Sequence, residues 1–331
     1  MFILGIETSC DETAAAVVKD GATILSSVVS SQVEVHHRYG GIVPELASRK
    51  HVEAIVPIVG EAMENCGMSL NQIDAIAVTR GPGLVGALLV GFSYAKASAY
   101  ALDIPWVGVN HLEGHIKSVF LEENPPPFPF TALLASGGHT SIYYVTSHTS
   151  FEIMGQTRDD AAGEAFDKVA KILDLGYPGG VVIDKLSKKG DSNIIKFPRP
   201  YLEKSTFDFS FSGIKTAVNR YIMRNQDNYK NQITDIVAGF QEAVVEVLAY
   251  KIIHAAREKK CRHIALVGGV AANSRLREKV RENAASNGLT VHIPSLHLCG
   301  DNAAMIAAVG YHYLKAGKTS GLSDDVFSRS R

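Results

Sequence analysis

Cysteine is scarce in this chain: Cys10, Cys66, Cys261 and Cys299 are the only four in 331 residues. They show neither the paired spacing of a zinc knuckle nor the density of a secreted disulfide scaffold, so reduced thiols in a cytosol are expected. An excess of one charge is also absent. Lys and Arg total 33 against 34 Asp and Glu, a net charge of -1, which leaves no global field to gather nucleic acid or an anionic membrane. Any nucleic-acid partner must therefore be held locally. The opening "MFILGIETSCDET" has no basic n-region and turns acidic at once, against a signal peptide. The most apolar stretch, "GLVGALLVGFSYAKASAYAL", is interrupted by Lys96 and follows a strand-like segment, so it reads as a buried helix rather than a membrane span. No G-x-x-x-x-G-K-[ST] occurs, which excludes a P-loop protein. What is present is apolar residue: 46% of the chain is hydrophobic and 20% charged, enough for two domains with substantial cores.

Two segments follow one plan. "FILGIE", the turn "TSCDET" and "AAAVVKDG" form a strand, turn, strand pattern that returns as "FTALLAS", "GGHT" and "SIYYVT". "IDAIAVT", "RGPG" and a helical stretch then match "RHIALV", "GGVAAN" and "SRLREKVRENAASNG". Each unit closes alike, with "IPWVGVN" leading to His111 and "LTVHIPS" leading toward Asp301. The pattern predicts an α/β chain of two duplicated lobes, over 1–122 and 123–331, with a ligand cleft between them. The second lobe carries a helical insertion over about 150–260, and the last helix, about 301–316, is a candidate to pack back on the first lobe. "ENPPPFPF" suits the connection between lobes, and the tail "SGLSDDVFSRSR" is expected to fray.

The chemistry centres on "NHLEGH". His111 and His115 share a helix face while Glu113 points roughly the opposite way. In the H-E-x-x-H of a zinc protease the glutamate directly follows the first histidine, so this spacing argues against that use. Two such histidines alone are as a rule solvated surface residues, and a third ligand is needed. Asp301 in "LCGDNAAMIAAVGYHYL" is the candidate, expected from the second lobe and hence defining an inter-lobe metal, although an Asp before an apolar helix is also an ordinary N-cap. Two imidazoles and a carboxylate suit zinc or iron. The turns in "LASGGH" and "GGVAAN" each follow an apolar strand and can bring backbone amides close to phosphate, or can be plain turn chemistry. "GPGLVG" matches G-x-G-x-x-G but lacks the ribose-binding acid at the end of the next strand, so its glycines are expected to serve helix packing. In "GEAFDKVAKILDLGYPGGVVIDKL", Glu164, Asp167 and Asp184 fit either ribose binding or a solvated helix face.

"GIETSCDET", "YGGIVPELASRKH", "RGPGLVGALLVG", "NHLEGH", "LLASGGHT", "AAGEAFDKVAK", "YPGG", "FSFSGIKTAV" and "GGVAANSRLR", in this order and nearly end to end, resemble the bacterial TsaD (Gcp/YgjD) family. The resemblance implies an actin, Hsp70 and sugar-kinase (ASKHA, RNase H-like) fold with an inter-lobe nucleotide and metal cleft. It implies transfer of a threonylcarbamoyl group from threonylcarbamoyl-adenylate to the N6 amine of the adenosine just 3′ of the tRNA anticodon, releasing AMP. By the same carry-over one divalent metal, iron or zinc, is held by His111, His115 and Asp301. The adenine nucleotide, with ATP or ADP able to take its place, meets Leu134, Ala135, Ser136, Gly137, Gly138, Asp167, Gly180, Asp184 and Asn273. Asp11 and Glu12 correspond to acidic residues near the phosphates or metal, and Leu134 stands where archaeal relatives place a tyrosine ligand. The implied partners are tRNA, an inactive TsaB-type paralogue, a TsaE-type ATPase and a separate synthase that supplies the adenylate, in the cytoplasm and without a membrane. A metallopeptidase built on the histidine pair and a non-enzymatic actin-like nucleotide-binding scaffold are the competing readings.

Overall fold

The computed structural model describes residues 1–201 and 206–329. The chain divides into two compact units, Met1–Pro125 together with Pro294–Arg331, and Pro126–Ile293. The passage between them falls within the proline run "ENPPPFPF".

The first unit is built on the strands β1 (Phe2–Glu7), β2 (Glu12–Lys19), β3 (Thr23–Ser31), β4 (Ala75–Gly81) and β5 (Trp106–Asn110). Their order is β3-β2-β1-β4-β5, with β1 antiparallel to β2 and parallel to β4. Because side chains alternate across a strand, Leu4 and Ile6 face one layer and Ile3 the other. Leu4 and Ile6 pack with Ile55, Val59 and Phe92 from the helices Pro44–Asn65 and Val85–Leu102. Ile3 packs with Met305, Ile306 and Val309 of the helix Ala303–Lys315.

That last helix is buried from Ala303 through Val309. A helix apolar all round requires cover on every side, and it finds that cover on the sheet of the first unit. Asp301 therefore belongs to the first unit, and its expected supply from the second lobe is corrected. Helix Val85–Leu102 has the length and composition of a membrane span, yet Ala87, Leu88, Phe92, Ala95 and Ala99 are buried within the unit.

The second unit repeats the plan with β6 (Phe130–Ala135), β7 (Thr140–Ser147), β8 (Ser150–Gln156), β9 (His263–Val267) and β10 (Thr290–His292), in the order β10-β9-β6-β7-β8. Strand for strand the order and directions match the first sheet. The inserted segment begins with β8, which completes the sheet, and continues in the helices Ala162–Ile172, Gly179–Ser187, Ser212–Arg224 and Ile233–Glu258.

The tail does not fray through residue 328. Ser320 N donates to Trp106 O at 2.9 Å and Phe327 N to Arg80 O at 3.1 Å. Arg80 Nε reaches Asp325 O at 2.7 Å, and Lys96 Nζ reaches Leu322 O at 3.0 Å. The tail thus lies along the edge strand β5 and the turn after β4, satisfying main-chain groups that an open edge would leave unpaired.

Candidate metal centre and nucleotide cluster

In the first unit β5 runs into the helix His111–Lys117, capped by Asn110, whose side chain accepts from Leu112 N at 2.9 Å. The helix turns His111 and His115 to one side, ring centroids 4.7 Å apart, with Asp301 beside them. Asp301 Oδ1 is 3.6 Å from His111 Nε2 and 3.1 Å from His115 Nε2. Ligand atoms about 2.1 Å from a zinc or iron ion stand about 3–3.5 Å apart when adjacent, so these spacings fit one ion. His115 is fully buried, yet among the described residues neither ring nitrogen has a hydrogen-bond partner. Buried polar atoms seldom go unsatisfied, and a place for a bound ion is one of the recognised reasons. Capping does not account for Asp301, because Asn302 caps the following helix by accepting from Met305 N at 3.0 Å. All three donors come from the first unit, so the candidate metal site, expected between the lobes, lies within one unit.

Negative charge is concentrated around this set. The turn after β1 brings Asp11 in, 7% exposed, and Glu12 opens β2. Burial, then the charges of Asp301 and Asp11, push the Glu12 carboxyl up to about 10. Burial disfavours a charged His111 ring, but the carboxylates of Asp301 and Glu7 outweigh it and push His111 up to about 9. A site that draws protons this strongly is one that a cation relieves.

Glu113 lies on the other side of the helix, where its carboxylate accepts from the Tyr313 hydroxyl and burial pushes its pKa up. It is not placed to serve water on an ion at the histidines, which removes the geometric basis for a peptidase. The three glycines of "GPGLVG" are explained by packing. A Cβ at Gly81 would stand 2.1 Å from Phe327 O, one at Gly83 2.5 Å from Ser9 O, and one at Gly86 2.4 Å from Ser48 Oγ.

The second unit gathers the residues expected at the nucleotide beyond the carboxyl ends of the parallel strands β6 and β9, where open α/β sheets bind ligands. Leu134 and Ala135 lie inside β6 with buried side chains, so the accessible part of the run is the turn Ser136–Gly138. His139 closes that turn: its carbonyl accepts from Ser136 N at 2.8 Å, and its own N donates to Ser136 Oγ at 3.2 Å. Gly137 and Gly138 are exposed, neither has left-handed φ, and a Cβ on either would meet nothing within 4 Å. By contrast Gly268, at φ +90, is required by its own backbone, and a Cβ there would strike Ala135 O.

The other expected residues are tied together. Asp167 Oδ1 accepts from Gly179 N at 2.8 Å, which fixes the start of the helix bearing Gly180 and Asp184. Asp184 Oδ1 accepts from Ser274 Oγ at 2.9 Å. Asn273 caps the helix Ser274–Ala285 through Leu276 N, and its Nδ2 donates to Gln241 Oε1 at 2.7 Å. Gln241 Nε2 in turn donates to Ser187 Oγ at 2.7 Å. Beside this chain lies a cleft of about 160 Å³ lined by Ser187, Gly190, Ser192, Ala238, Gln241, Glu242 and Arg275. Glu242 is gripped there by Arg275 at 2.7 and 3.0 Å and by Lys279 at 3.2 Å. Sequence reasoning missed Gln241 and Ser187, since a glutamine and a serine within apolar helices carry no motif. It also missed Glu7, whose one signal was an acid closing an otherwise apolar strand.

The profile of the family described as TsaD, tRNA N6-adenosine threonylcarbamoyltransferase, matches residues 23–308. A protein of that description from Desulforapulum autotrophicum is 61% identical over 331 residues, covering 100% of this chain and 99% of its own length. One from Syntrophus aciditrophicus is 53% identical over 330 residues, covering 99% of this chain and 97% of its own. Among solved structures, full-length HypF in its phosphate- and nucleotide-bound form aligns with a TM-score of 0.64 at 15% identity, covering 99% of this chain and 56% of that one. Component A of the (R)-2-hydroxyglutaryl-CoA dehydratase of Acidaminococcus fermentans aligns with a TM-score of 0.56 at 18% identity, covering 96% and 100%. At such identities these structures speak for the duplicated actin-like fold alone.

Proposed function

We propose, from the premise that this chain belongs to the TsaD family of tRNA N6-adenosine threonylcarbamoyltransferases, a division of the reaction between its two units. The protein transfers a threonylcarbamoyl group to the N6 amine of adenosine in tRNA. The donor is threonylcarbamoyl-adenylate and the acceptor is the adenosine just 3′ of the anticodon. The amine nitrogen forms a bond to the carbamoyl carbon, the bond from that carbon to the phosphate oxygen breaks, AMP leaves, and the amine gives up a proton.

The observation that carries the metal-dependent reading is the set of two buried histidines, His111 and His115, with the half-buried Asp301, the two nitrogens of His115 lacking hydrogen bonds among the described residues. These three residues hold one divalent ion, zinc or iron, and Asp11 and Glu12 complete the negative field around it. When bound, the ion supplies Lewis-acid polarisation and a template for the reacting group. In the second unit, the amides of the Ser136–Gly138 turn approach the phosphate. Asp167, Gly180, Asp184 and Asn273 serve the nucleoside end, and the neighbouring cleft has room for a base.

The reaction is cytoplasmic. The adenylate comes from a separate synthase, and a TsaB-type paralogue and a TsaE-type ATPase assist. For the paralogue, the exposed apolar pairs Val52 and Val56 on helix Pro44–Asn65, and Val85 and Leu89 on the neighbouring helix Val85–Leu102, offer a face that suits a helical partner.

Mass spectrometry of nucleosides from bulk tRNA tests the function in cells depleted of the protein and rescued with wild type or His111→Ala. Threonylcarbamoyladenosine should fall on depletion and return only with wild type. An unchanged nucleoside on depletion would refute the transferase reading, and full rescue by His111→Ala would refute the metal assignment.

A further inference from the structure

An imidazole can bind a metal through either nitrogen, and what its other nitrogen bonds to decides which. For His111 that partner is Glu7, the last residue of β1, whose side chain is 1% exposed. Glu7 Oε1 accepts from Ser9 N at 2.5 Å, and Oε2 accepts from Thr79 Oγ1 at 2.6 Å and from His111 Nδ1 at 2.9 Å. A carboxylate only accepts hydrogen bonds, so His111 carries its proton on Nδ1. When the ring gives up its other proton to a metal, the lone pair is on Nε2, the nitrogen on the Asp301 side. Ser9 Oγ, 3.2 Å from the same Nδ1 and carried by the turn after β1, is a second, longer acceptor for that proton.

His115 has no equivalent. Among the described residues its Nδ1 is buried without a hydrogen bond, and its ring meets that of His111 edge-on, at an interplanar angle of 78°.

We propose that Glu7 is the positioning residue of the metal centre: through Nδ1 it fixes the tautomer and ring orientation of His111 and strengthens Nε2 as a donor. His111 is thereby the anchored ligand and His115 the adaptable one. Thr79 and Ser9 N hold the Glu7 carboxylate in place, so the sheet itself, through β1 and β4, sets the aim of a ligand carried on a helix after β5. This inference rests on the reading of His111, His115 and Asp301 as metal ligands.

The test measures zinc affinity of the purified full chain by competition with a chromophoric chelator, beside the melting temperature without metal and the affinity for ADP, which reports on the second unit. Glu7→Gln keeps the size of the side chain but removes its charge and one acceptor, and is expected to weaken zinc binding about 10- to 100-fold, with ADP affinity unchanged. Thr79→Val loosens the same carboxylate and the same turn while leaving the bond between Glu7 and His111 in place. It is expected to lower the metal-free melting temperature with less than a threefold change in zinc affinity. Wild-type zinc affinity in Glu7→Gln, with His111→Ala unable to bind zinc, overturns the role of Glu7 and leaves the ligand assignment standing. Zinc loss in Thr79→Val equal to that in Glu7→Gln overturns it too, because the effect then runs through the turn. Wild-type zinc affinity in His111→Ala refutes the ligand set itself.

Discussion

Replacing Gly138 by alanine separates a glycine kept for the fold from one kept for a ligand. The residue does not use left-handed φ, and a Cβ built on it meets nothing within 4 Å. Neither the turn nor the packing of the protein excludes a methyl group there. In the absence of ligand the substitution should even stabilise, since alanine restricts the unfolded chain by about 0.4–1 kcal/mol. At about 2–4 °C per kcal/mol, the melting temperature should stay level or rise by about 1–4 °C. If the amides of this turn approach a phosphate, the methyl group stands in the phosphate's path. Losing one charge-assisted hydrogen bond costs about 1.5–3 kcal/mol, or about 10- to 150-fold in Kd.

The assay is calorimetric titration with ADP alongside thermal unfolding. Gly163→Ala is the control of opposite sign, because its Cβ would stand 2.6 Å from Ser136 O and 2.8 Å from Gly137 Cα, and it should lower the melting temperature. Wild-type ADP affinity in Gly138→Ala would refute the phosphate reading of the turn. A melting temperature several degrees below wild type would refute the claim that the fold leaves the space open.

Other outcomes follow from groups described above. Glu113→Ala should retain wild-type metal content, measured by plasma mass spectrometry, whereas Asp301→Ala should lose it; equal loss in both would sink the assignment of faces on the helix His111–Lys117. Burial would raise the Glu242 carboxyl, but Arg275 and Lys279 hold it below the ordinary range. The stability it contributes is present above the unfolded value of about 4.3 and is lost as pH falls through the lower folded value. Glu242→Gln should therefore cost about 1.5–3 kcal/mol at pH 7, a gap that closes in acid melts; a pH-independent gap would count against the ion pair as its source. Burial lowers Lys117 to about 7, so between that pH and about 10.4 the unfolded chain binds the extra proton and stability should rise with pH. Lys117→Met should flatten that slope, and an unchanged slope would place its origin elsewhere.

The duplication was legible because each repeat starts with two apolar strands around a polar turn, and because the strand, glycine turn and helix that follow keep their order. The third strands were not. β3 alternates exposed and buried positions in "TILSSVVSS", and β8 buries only Gly155, so neither carries the apolar run that marks a central strand. The histidine pair could be read from helical periodicity alone. Its third partner could be named, and the apolar helix after it was a candidate to cover the first lobe, but an apolar pattern announces burial without deciding between two sheets. The order of the tail was invisible for another reason: Arg80 and Lys96 bind its main-chain carbonyls, and carbonyls are the same in every sequence. Glu7 escaped notice because its partners, Thr79 and His111, are distant along the chain.

The first unit is assembled from both ends of the polypeptide, with residues 126–293 between them. On the ribosome, His111 and His115 emerge long before Asp301, and the whole second unit is synthesised in the interval. The second unit can fold as soon as it clears the exit tunnel, whereas the first waits, its sheet uncovered on one face, until the helix Ala303–Lys315 arrives. The candidate ion site is thus among the last features of the nascent protein to be complete. Premature termination after the second unit ends at Ile293 but before Asp301 yields a chain that holds every residue of the candidate nucleotide cluster but not those of the candidate metal centre.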